Sequence, residues 1–92
     1  MAVYRSVYSV EFKNDLRDFE FDKNIADGIE KAIPIILEKP YHKAAKLKGQ
    51  DGLLRKHVCA NRFRIFYYID NKNKEVIFVA FRPKNKNTYK NL

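Results

Sequence analysis

Cysteine, glycine and proline are scarce in this chain of 92 residues, which contains one Cys, three Gly, three Pro and no Trp. The single cysteine, Cys59, cannot form an internal disulfide, and this favours a reducing compartment. Gly49 and Gly52 are too few for a glycine-rich loop that cradles phosphates. The shortage therefore excludes a disulfide-stapled scaffold and a P-loop nucleotide site.

Long apolar runs are also missing. No segment approaches the roughly 20 residues that a membrane-spanning helix needs. The first five residues, Met1-Ala2-Val3-Tyr4-Arg5, contain no apolar stretch of the kind found in signal peptides. We therefore expect a cytoplasmic protein that is not exported and does not associate with a membrane.

Residue types that bind metals are few as well. The chain has two histidines and one cysteine, without a recognisable ligand spacing, and no pair of carboxylates lies beside the basic residues. Cys59 has no partners at the spacing of a catalytic triad. We expect no metal site, no small-molecule cofactor and no cysteine nucleophile.

The chain has enough apolar and aromatic residues for one compact core: 46% are hydrophobic, including seven Phe and six Tyr. At this length residues 1–92 are expected to form a single domain. Its charge is unevenly distributed. Residues 1–38 carry five Lys/Arg and eight Asp/Glu, whereas residues 39–92 carry fourteen Lys/Arg and three Asp/Glu. The second half is therefore expected to face a polyanion such as nucleic acid.

Side-chain periodicity predicts an α+β fold. Alternating aromatic and β-branched residues indicate strands, and apolar residues at helical spacing indicate helices, with Asn14 as the expected N-cap of the first helix. The predicted strands are 4–12, 53–58, 62–70 and 75–82, and the predicted helices are 13–21 and 22–39. The order β-α-α-β-β-β predicts an antiparallel-rich four-stranded sheet with two N-terminal helices packed on one face.

Two segments of this outline have further features. Pro34 lies inside the second helix, where it removes a backbone donor, so we expect a kink there or two stacked helices. Residues 41–52 are predicted to form a basic loop. Residues 71–74 are predicted to form a turn, and Pro83 is expected to end the last strand.

Alternation along the strands also assigns residues to faces of the sheet. In the third strand Phe63, Ile65, Tyr67 and Ile69 are expected to face the helices, with Arg62, Arg64, Phe66 and Tyr68 opposite. In the fourth strand Ile77, Val79 and Phe81 are expected to oppose Val76, Phe78, Ala80 and Arg82. If the apolar sets meet the helices, four basic residues share the open face: Arg55, His57, Arg64 and Arg82. A slip of one residue in register would send half of them elsewhere.

At this point the chain resembles the RelE/ParE superfamily of toxins from type II toxin–antitoxin systems. The resemblance covers nearly the whole length. Its most specific parts are the Leu47-Lys48-Gly49 element and the core Asn61-Arg62-Phe63-Arg64-Ile65-Phe66-Tyr67, in this order and spacing. It also includes the opening Val7-Tyr8-Ser9-Val10-Glu11-Phe12, Glu38-Lys39-Pro40, and Phe81-Arg82 followed by Tyr89.

The resemblance implies a RelE-type endoribonuclease, an mRNA interferase. Such toxins enter the ribosomal A site and cleave mRNA without a metal, through attack of the RNA 2′-hydroxyl on the adjacent phosphate. Inhibition of translation is the expected result. The implied partners are a cognate antitoxin protein, the ribosome and mRNA.

The resemblance also implies roles for particular residues. Arg64 matches the central arginine that grips the scissile phosphate, and Arg55 and His57 fall where two basic residues are found. Arg82 lies close to a second phosphate-binding arginine, although the interval to Tyr89 is about one residue longer than expected. Tyr89 matches a C-terminal tyrosine that stacks on a base or assists proton transfer. The further basic residues expected to contact RNA are Lys43, Lys46, Lys48, Lys56, Arg62, Lys84 and Lys86.

The chemistry of the side chains agrees with these roles. Guanidinium groups stabilise the charge that builds on a phosphorane, but arginine stays protonated and is a poor base. An ordinary histidine titrates near neutrality, so His57 is the first candidate for proton transfer and Tyr89 the second. His42, in the basic loop, is not expected to be catalytic.

Two other functions remain open. A ParE-like inhibitor of DNA gyrase would have the same fold but would not need the set of basic residues and tyrosine. A non-catalytic module that binds RNA or the ribosome would use the same cations for phosphate contacts, with affinity that falls as salt rises.

Overall fold

The computed structural model of the protein describes residues 4–47, 49 and 52–84. Within these ranges the chain forms two helices and five strands. In chain order they are β1 (Arg5–Tyr8), α1 (Val10–Arg17), α2 (Lys23–Glu38), β2 (Ala45–Lys46), β3 (Leu54–Val58), β4 (Phe63–Asp70) and β5 (Glu75–Pro83).

The strands form one sheet in the order β1-β5-β4-β3-β2. β1 runs parallel to β5, and the other neighbours are antiparallel. The predicted α+β fold and the turn at 71–74 are thus confirmed. The strand count of four was one too low, because β2 lies inside the predicted basic loop. Two residues are too short to display an alternating pattern, and β2 becomes a strand only by pairing with β3.

The first helix begins earlier than predicted. Ser9, not Asn14, is its N-cap, and the Ser9 hydroxyl accepts a hydrogen bond of 3.0 Å from the backbone N–H of Phe12. The sequence Val10-Glu11-Phe12 continues the β-type pattern of β1, so the predicted strand extended too far. The cap decides the boundary, since a serine oxygen satisfies a donor that the first helical turn leaves unpaired.

The second helix is continuous from Lys23 to Glu38 although Pro34 lies inside it, so the expectation of two stacked helices was wrong. Asp22 caps its start by accepting from the N–H of Ile25 at 3.2 Å. Ile36, beyond the proline, is fully buried, and its packing stabilises the last turn despite the lost backbone donor. Neither helix of the described part of the chain has the length and apolar character to span a membrane.

The main core lies between the helices and one face of the sheet. Phe63, Ile65 and Tyr67 of β4 are buried there and Ile69 is partly buried, as predicted. The Tyr67 hydroxyl donates a buried hydrogen bond of 2.7 Å to the carbonyl of Pro40, and burial raises the pKa of this phenol. This bond ties the exit of α2 to the centre of the sheet.

The face assignment for β5 was wrong over its first half. Val76 and Phe78 are fully buried in the core beneath the helices, where Ile77 and Val79 were expected. The reason is a β-bulge: Tyr67 pairs with Phe78 and Phe66 with Ala80, so Val79 is an extra residue. A bulge reverses the alternation beyond it. Phe81 therefore also faces the helices, and Arg82 remains on the opposite face as predicted.

Candidate active site

Three basic residues lie side by side across the strands on the face opposite the helices. In the sheet register His57 of β3 pairs with Arg64 of β4, and Arg64 pairs with Arg82 of β5. We call these three residues the cationic row. Arg55 lies on the same face, two residues before His57 in β3, and pairs with Phe66. The structure thus brings together four of the five residues that the sequence predicted to be catalytic.

Arg64, at the centre of the cationic row, is a buried cation. Its residue is only 4% exposed, and its Nη1 donates to the backbone carbonyls of Asn61 at 3.1 Å and Phe63 at 3.0 Å. No carboxylate in the described part of the chain forms an ion pair with it. Burying an arginine without a counter-anion is costly. This arrangement favours an external anion as its partner.

The loop that receives Arg64 has an unusual backbone. Cys59, Ala60 and Asn61, which join β3 to β4, have φ angles of 54°, 56° and 67°, all in the left-handed region. Residues with a Cβ rarely adopt this region, and asparagine tolerates it best. The strained turn directs the Asn61 carbonyl at Arg64, and the Asn61 side chain hydrogen-bonds to His57.

The imidazole of His57 has a lowered pKa. Loss of solvent around the ring is the largest cause, followed by the positive charges of Arg64, Arg55 and Lys84, and the hydrogen bond to Asn61 acts in the opposite direction. The three cations act on the ring by disfavouring its positively charged form. The neutral imidazole is therefore favoured at neutral pH, and in this form one ring nitrogen accepts a proton.

A cleft of about 230 Å³ adjoins the cationic row at the β2–β3 edge of the sheet, and it is lined by Lys43, Ala45, Arg55, Lys56 and His57. Burial, with a smaller contribution from Lys43, lowers the pKa of Lys56. The cleft places Arg55 and His57 next to each other with basic residues around them. Lys43 extends the basic surface beyond the row, whereas the side chain of Lys56 extends from the other side of the sheet.

Arg82 differs from Arg64 in its partners. Its Nη2 lies 3.6 Å from Oε1 of Glu11, and its Nε lies 3.7 Å from Oδ2 of Asp15, both on α1. Asp15 is itself held by the backbone N–H of Phe81, which donates to Oδ2 at 2.9 Å. The charge of Arg82 is thus balanced by carboxylates, whereas the ion pairs found in the described residues do not include Arg64.

The face that carries the cationic row is less open than predicted. Leu53, Phe66 and Ala80 form a second buried cluster there, with Leu47, Tyr68 and Val79 packed against it. The ring of Tyr68 also lies near Gly52. Leu47 and Leu53, which precede β3, therefore cover this end of the face. Their packing removes the apolar ring of Phe66 from water. The row lies beyond this covered part.

The predicted RNA-contacting residues are spread more widely. Lys46 and Lys56 pair in register with Leu54 and Ile65, which are core residues, so these two lysines extend from the other side of the sheet. Arg62 lies at the β3–β4 loop in a cavity against α2. Lys84 follows β5 and contributes charge near His57. The predictions for Lys48, Lys86 and Tyr89 fall outside the described residues.

Cys59 fills a packing position between the β3–β4 loop and α2. A Cβ on Gly28 would lie 2.6 Å from its Sγ, and the thiol donates weakly to the carbonyl of Ile25 at 3.8 Å. Burial raises the pKa of this thiol, which disfavours the thiolate. In the described part of the chain, no group of three or more His, Cys, Asp or Glu residues has the arrangement of a metal site.

Sequence reasoning missed three residues of the site: Asn61, Asp15 and Glu11. Asn61 carried one available signal, since it lies in a short connection between two strands, where asparagine often adopts the left-handed region. Asp15 and Glu11 carried none, because their contact with Arg82 depends on α1 packing along the edge of β5.

The sequence matches no family model and no curated protein. The structure does match solved structures. The YoeB/ParE toxin from Agrobacterium tumefaciens aligns with a TM-score of 0.76 at 16% identity, covering 88% of this chain and 99% of that one. The YoeB dimer from Staphylococcus aureus aligns with a TM-score of 0.73 at 18% identity, covering 91% of this chain and 100% of that one. A chain of the intact E. coli RelBE toxin–antitoxin complex aligns with a TM-score of 0.71 at 15% identity, covering 90% of this chain and 99% of that one. This chain therefore has the fold of the RelE and YoeB toxins.

Proposed function

We propose that this protein is the toxin of a type II toxin–antitoxin pair and that it cleaves mRNA on the ribosome without a metal. The observation that carries the proposal is Arg64: a buried guanidinium at the centre of the cationic row, hydrogen-bonded to carbonyls and without a carboxylate partner in the described residues. A phosphate would supply the missing counter-charge. The shared fold supports the same reading.

In this mechanism the RNA 2′-hydroxyl attacks the adjacent phosphorus in line with the leaving 5′-oxygen. The P–O5′ bond breaks as the new P–O2′ bond forms, which gives a 2′,3′-cyclic phosphate and a 5′-hydroxyl. Negative charge builds on the non-bridging oxygens in the transition state. The Arg64 guanidinium stabilises that charge through directed hydrogen bonds, with Arg82 and Arg55 as further cations.

His57 moves the proton in this proposal. Its imidazole is adjacent to Arg64 in the sheet register, and its lowered pKa leaves it neutral and able to accept the 2′-hydroxyl proton at pH 7. Tyr89 remains a candidate for protonating the leaving 5′-oxygen. It falls outside the described residues.

The proton role predicts a specific pH dependence. A base must be neutral, so kcat/KM should rise with pH through the pKa of His57, with the midpoint of the rise below the ordinary histidine value of about 6.5. The His57→Gln variant should cleave more slowly, and its rate should no longer fall at acidic pH. Cleavage rates measured between pH 5 and 8 with subsaturating ribosomes test this. An acidic limb centred above pH 6.5, or one that persists in His57→Gln, would contradict the assignment.

The chemistry is tested with programmed ribosomes that carry a defined mRNA in the A site. We expect cleavage that leaves a 2′,3′-cyclic phosphate, and no cleavage when the nucleotide before the scissile bond is 2′-deoxy. Loss of the nucleophile removes the reaction, whatever metal is added. Cleavage of the 2′-deoxy substrate would show that the RNA hydroxyl is not the nucleophile and would contradict the mechanism.

Parallel assays separate the other candidate functions. Uncut mRNA together with inhibition of gyrase supercoiling would identify a ParE-like toxin. Uncut mRNA together with salt-sensitive binding to RNA or ribosomes would identify a binding module without catalysis. Either result would overturn the proposed nuclease.

A cognate antitoxin is the protein partner in this proposal. Toxin–antitoxin complexes are among the structures with the same fold. An acidic or amphipathic segment of the antitoxin would cover the cationic row and exclude RNA. Cytoplasmic localisation follows from the same proposal, since ribosomes and mRNA are the targets.

A further inference from the structure

The end of β5 is fastened to the first helix. β1 stops at Tyr8, which pairs with Phe78, so the edge of β5 beyond that point faces α1 instead of a strand. The Ser9 hydroxyl donates to the carbonyl of Val79 at 3.3 Å, and the N–H of Phe81 donates to Asp15 at 2.9 Å. The side chains of Asp15 in α1 and of the N-cap Ser9 thus take over hydrogen bonds that a longer β1 would make.

The same carboxylates orient Arg82. Its Nε and Nη2, which form one edge of the guanidinium, lie 3.7 Å and 3.6 Å from the oxygens of Asp15 and Glu11. The Asp15 side chain is 18% exposed and is fixed to the backbone, whereas that of Glu11 is 66% exposed. Asp15 is therefore the rigid member of the pair, and it limits the directions in which Arg82 can point.

We propose that Asp15 is a positioning residue that holds the Arg82 guanidinium in place for the RNA phosphate. This inference rests on the proposed nuclease function. An arginine has many rotamers, and a fixed carboxylate restricts them before the substrate arrives, which reduces the entropy lost on binding the transition state. In this role the carboxylate acts through Arg82 and not by contact with the RNA.

The substitution Asp15→Asn isolates the charge. An asparagine oxygen still accepts the N–H of Phe81, so the link between α1 and β5 is kept while the attraction for Arg82 is lost. We expect kcat for mRNA cleavage to fall by between about tenfold and a hundredfold, as for misplaced catalytic groups, with KM changed less than about threefold. Asp18→Asn, which removes an exposed carboxylate at the C-cap of the same helix, is the matched control and should leave kcat unchanged.

A double-substitution cycle with Arg82→Ala distinguishes positioning from a structural effect. If Asp15 acts through Arg82, then Asp15→Asn has no further effect on kcat once Arg82 is alanine. Thermal unfolding of both single variants, measured beside the wild type, shows whether the fold is retained. A full additional loss in the Arg82→Ala background would mean that Asp15 acts by another route, and would overturn the inference.

The remaining outcomes are also decisive. If wild type cleaves mRNA and Arg64→Ala does not, but Asp15→Asn cleaves at the wild-type rate, the inference fails while the proposed function stands. A faster Asp15→Asn enzyme would show that the carboxylate competes with phosphate for Arg82, which also overturns it. If wild type itself does not cleave, the proposed function and the inference fail together.

Discussion

Arg64→Ala is expected to lower ribosome-dependent mRNA cleavage by at least about a hundredfold, the effect of removing one transition-state donor. Arg64 is the buried centre of the cationic row, with His57 and Arg82 as its register partners. The loss should appear mainly in kcat, because the guanidinium meets most negative charge in the transition state. Single-turnover cleavage on programmed ribosomes measures it.

Two further variants make this result specific. Arg64→Lys keeps the charge but loses the planar fork of donors, so an intermediate loss of about tenfold is expected. Arg17→Ala removes an exposed arginine from the last turn of α1 and should cleave at the wild-type rate. Equal losses in Arg17→Ala and Arg64→Ala would mean that net charge matters and that the geometry of the row does not.

Gly28→Ala is expected to destabilise the protein by about 2 kcal/mol, the usual cost of overpacking a filled site. Alanine in a helix normally stabilises by up to about 1 kcal/mol relative to glycine. Here the added Cβ would lie 2.6 Å from Sγ of Cys59, closer than a Cβ atom comes to a non-bonded neighbour in proteins. Since Asn61 in the β3–β4 loop contacts Arg64 through its carbonyl and His57 through its side chain, displacement of this loop should also reduce cleavage. Chemical denaturation measures the stability change.

Removing the sulfur should reverse the sign of this effect. In the Cys59→Ala background the remaining atoms of residue 59 lie 3.5 Å from the new Cβ, which is ordinary contact. Gly28→Ala should then stabilise the protein slightly through helix propensity. If Gly28→Ala destabilises both backgrounds equally, the contact between α2 and the loop is not the cause.

Much of the fold was predictable because it depends on local patterns. The alternation of Phe63, Ile65 and Tyr67 assigned the core face of β4, and the polar residues 71–74 marked the turn before β5. The start of α1 was not predictable in the same way. Val10 and Phe12 suit a strand as well as a helix, and only the Ser9 cap decides between them.

The candidate site was predictable in its residue types but less so in its geometry. Arg55, His57, Arg64 and Arg82 share a face, although the bulge at Val79 changed which residues of β5 accompany Arg82. A bulge leaves no reliable mark in a run of apolar residues. The differing environments of Arg64 and Arg82 depend on how α1 and the β3–β4 loop pack, which a linear pattern does not encode. Lys46 and Lys56 were grouped with the RNA contacts on charge alone.

A crystal structure with a bound RNA oligonucleotide, made uncleavable by 2′-deoxy substitution at the scissile position, tests most directly whether the cationic row binds the reacting phosphate. We expect the scissile phosphate within about 3 Å of the Arg64 guanidinium nitrogens, as in charge-assisted hydrogen bonds, with the 2′-position facing His57. A phosphate held on the side of the sheet that carries Lys46 and Lys56, with Arg64 still directed only at the carbonyls of Asn61 and Phe63, would contradict it.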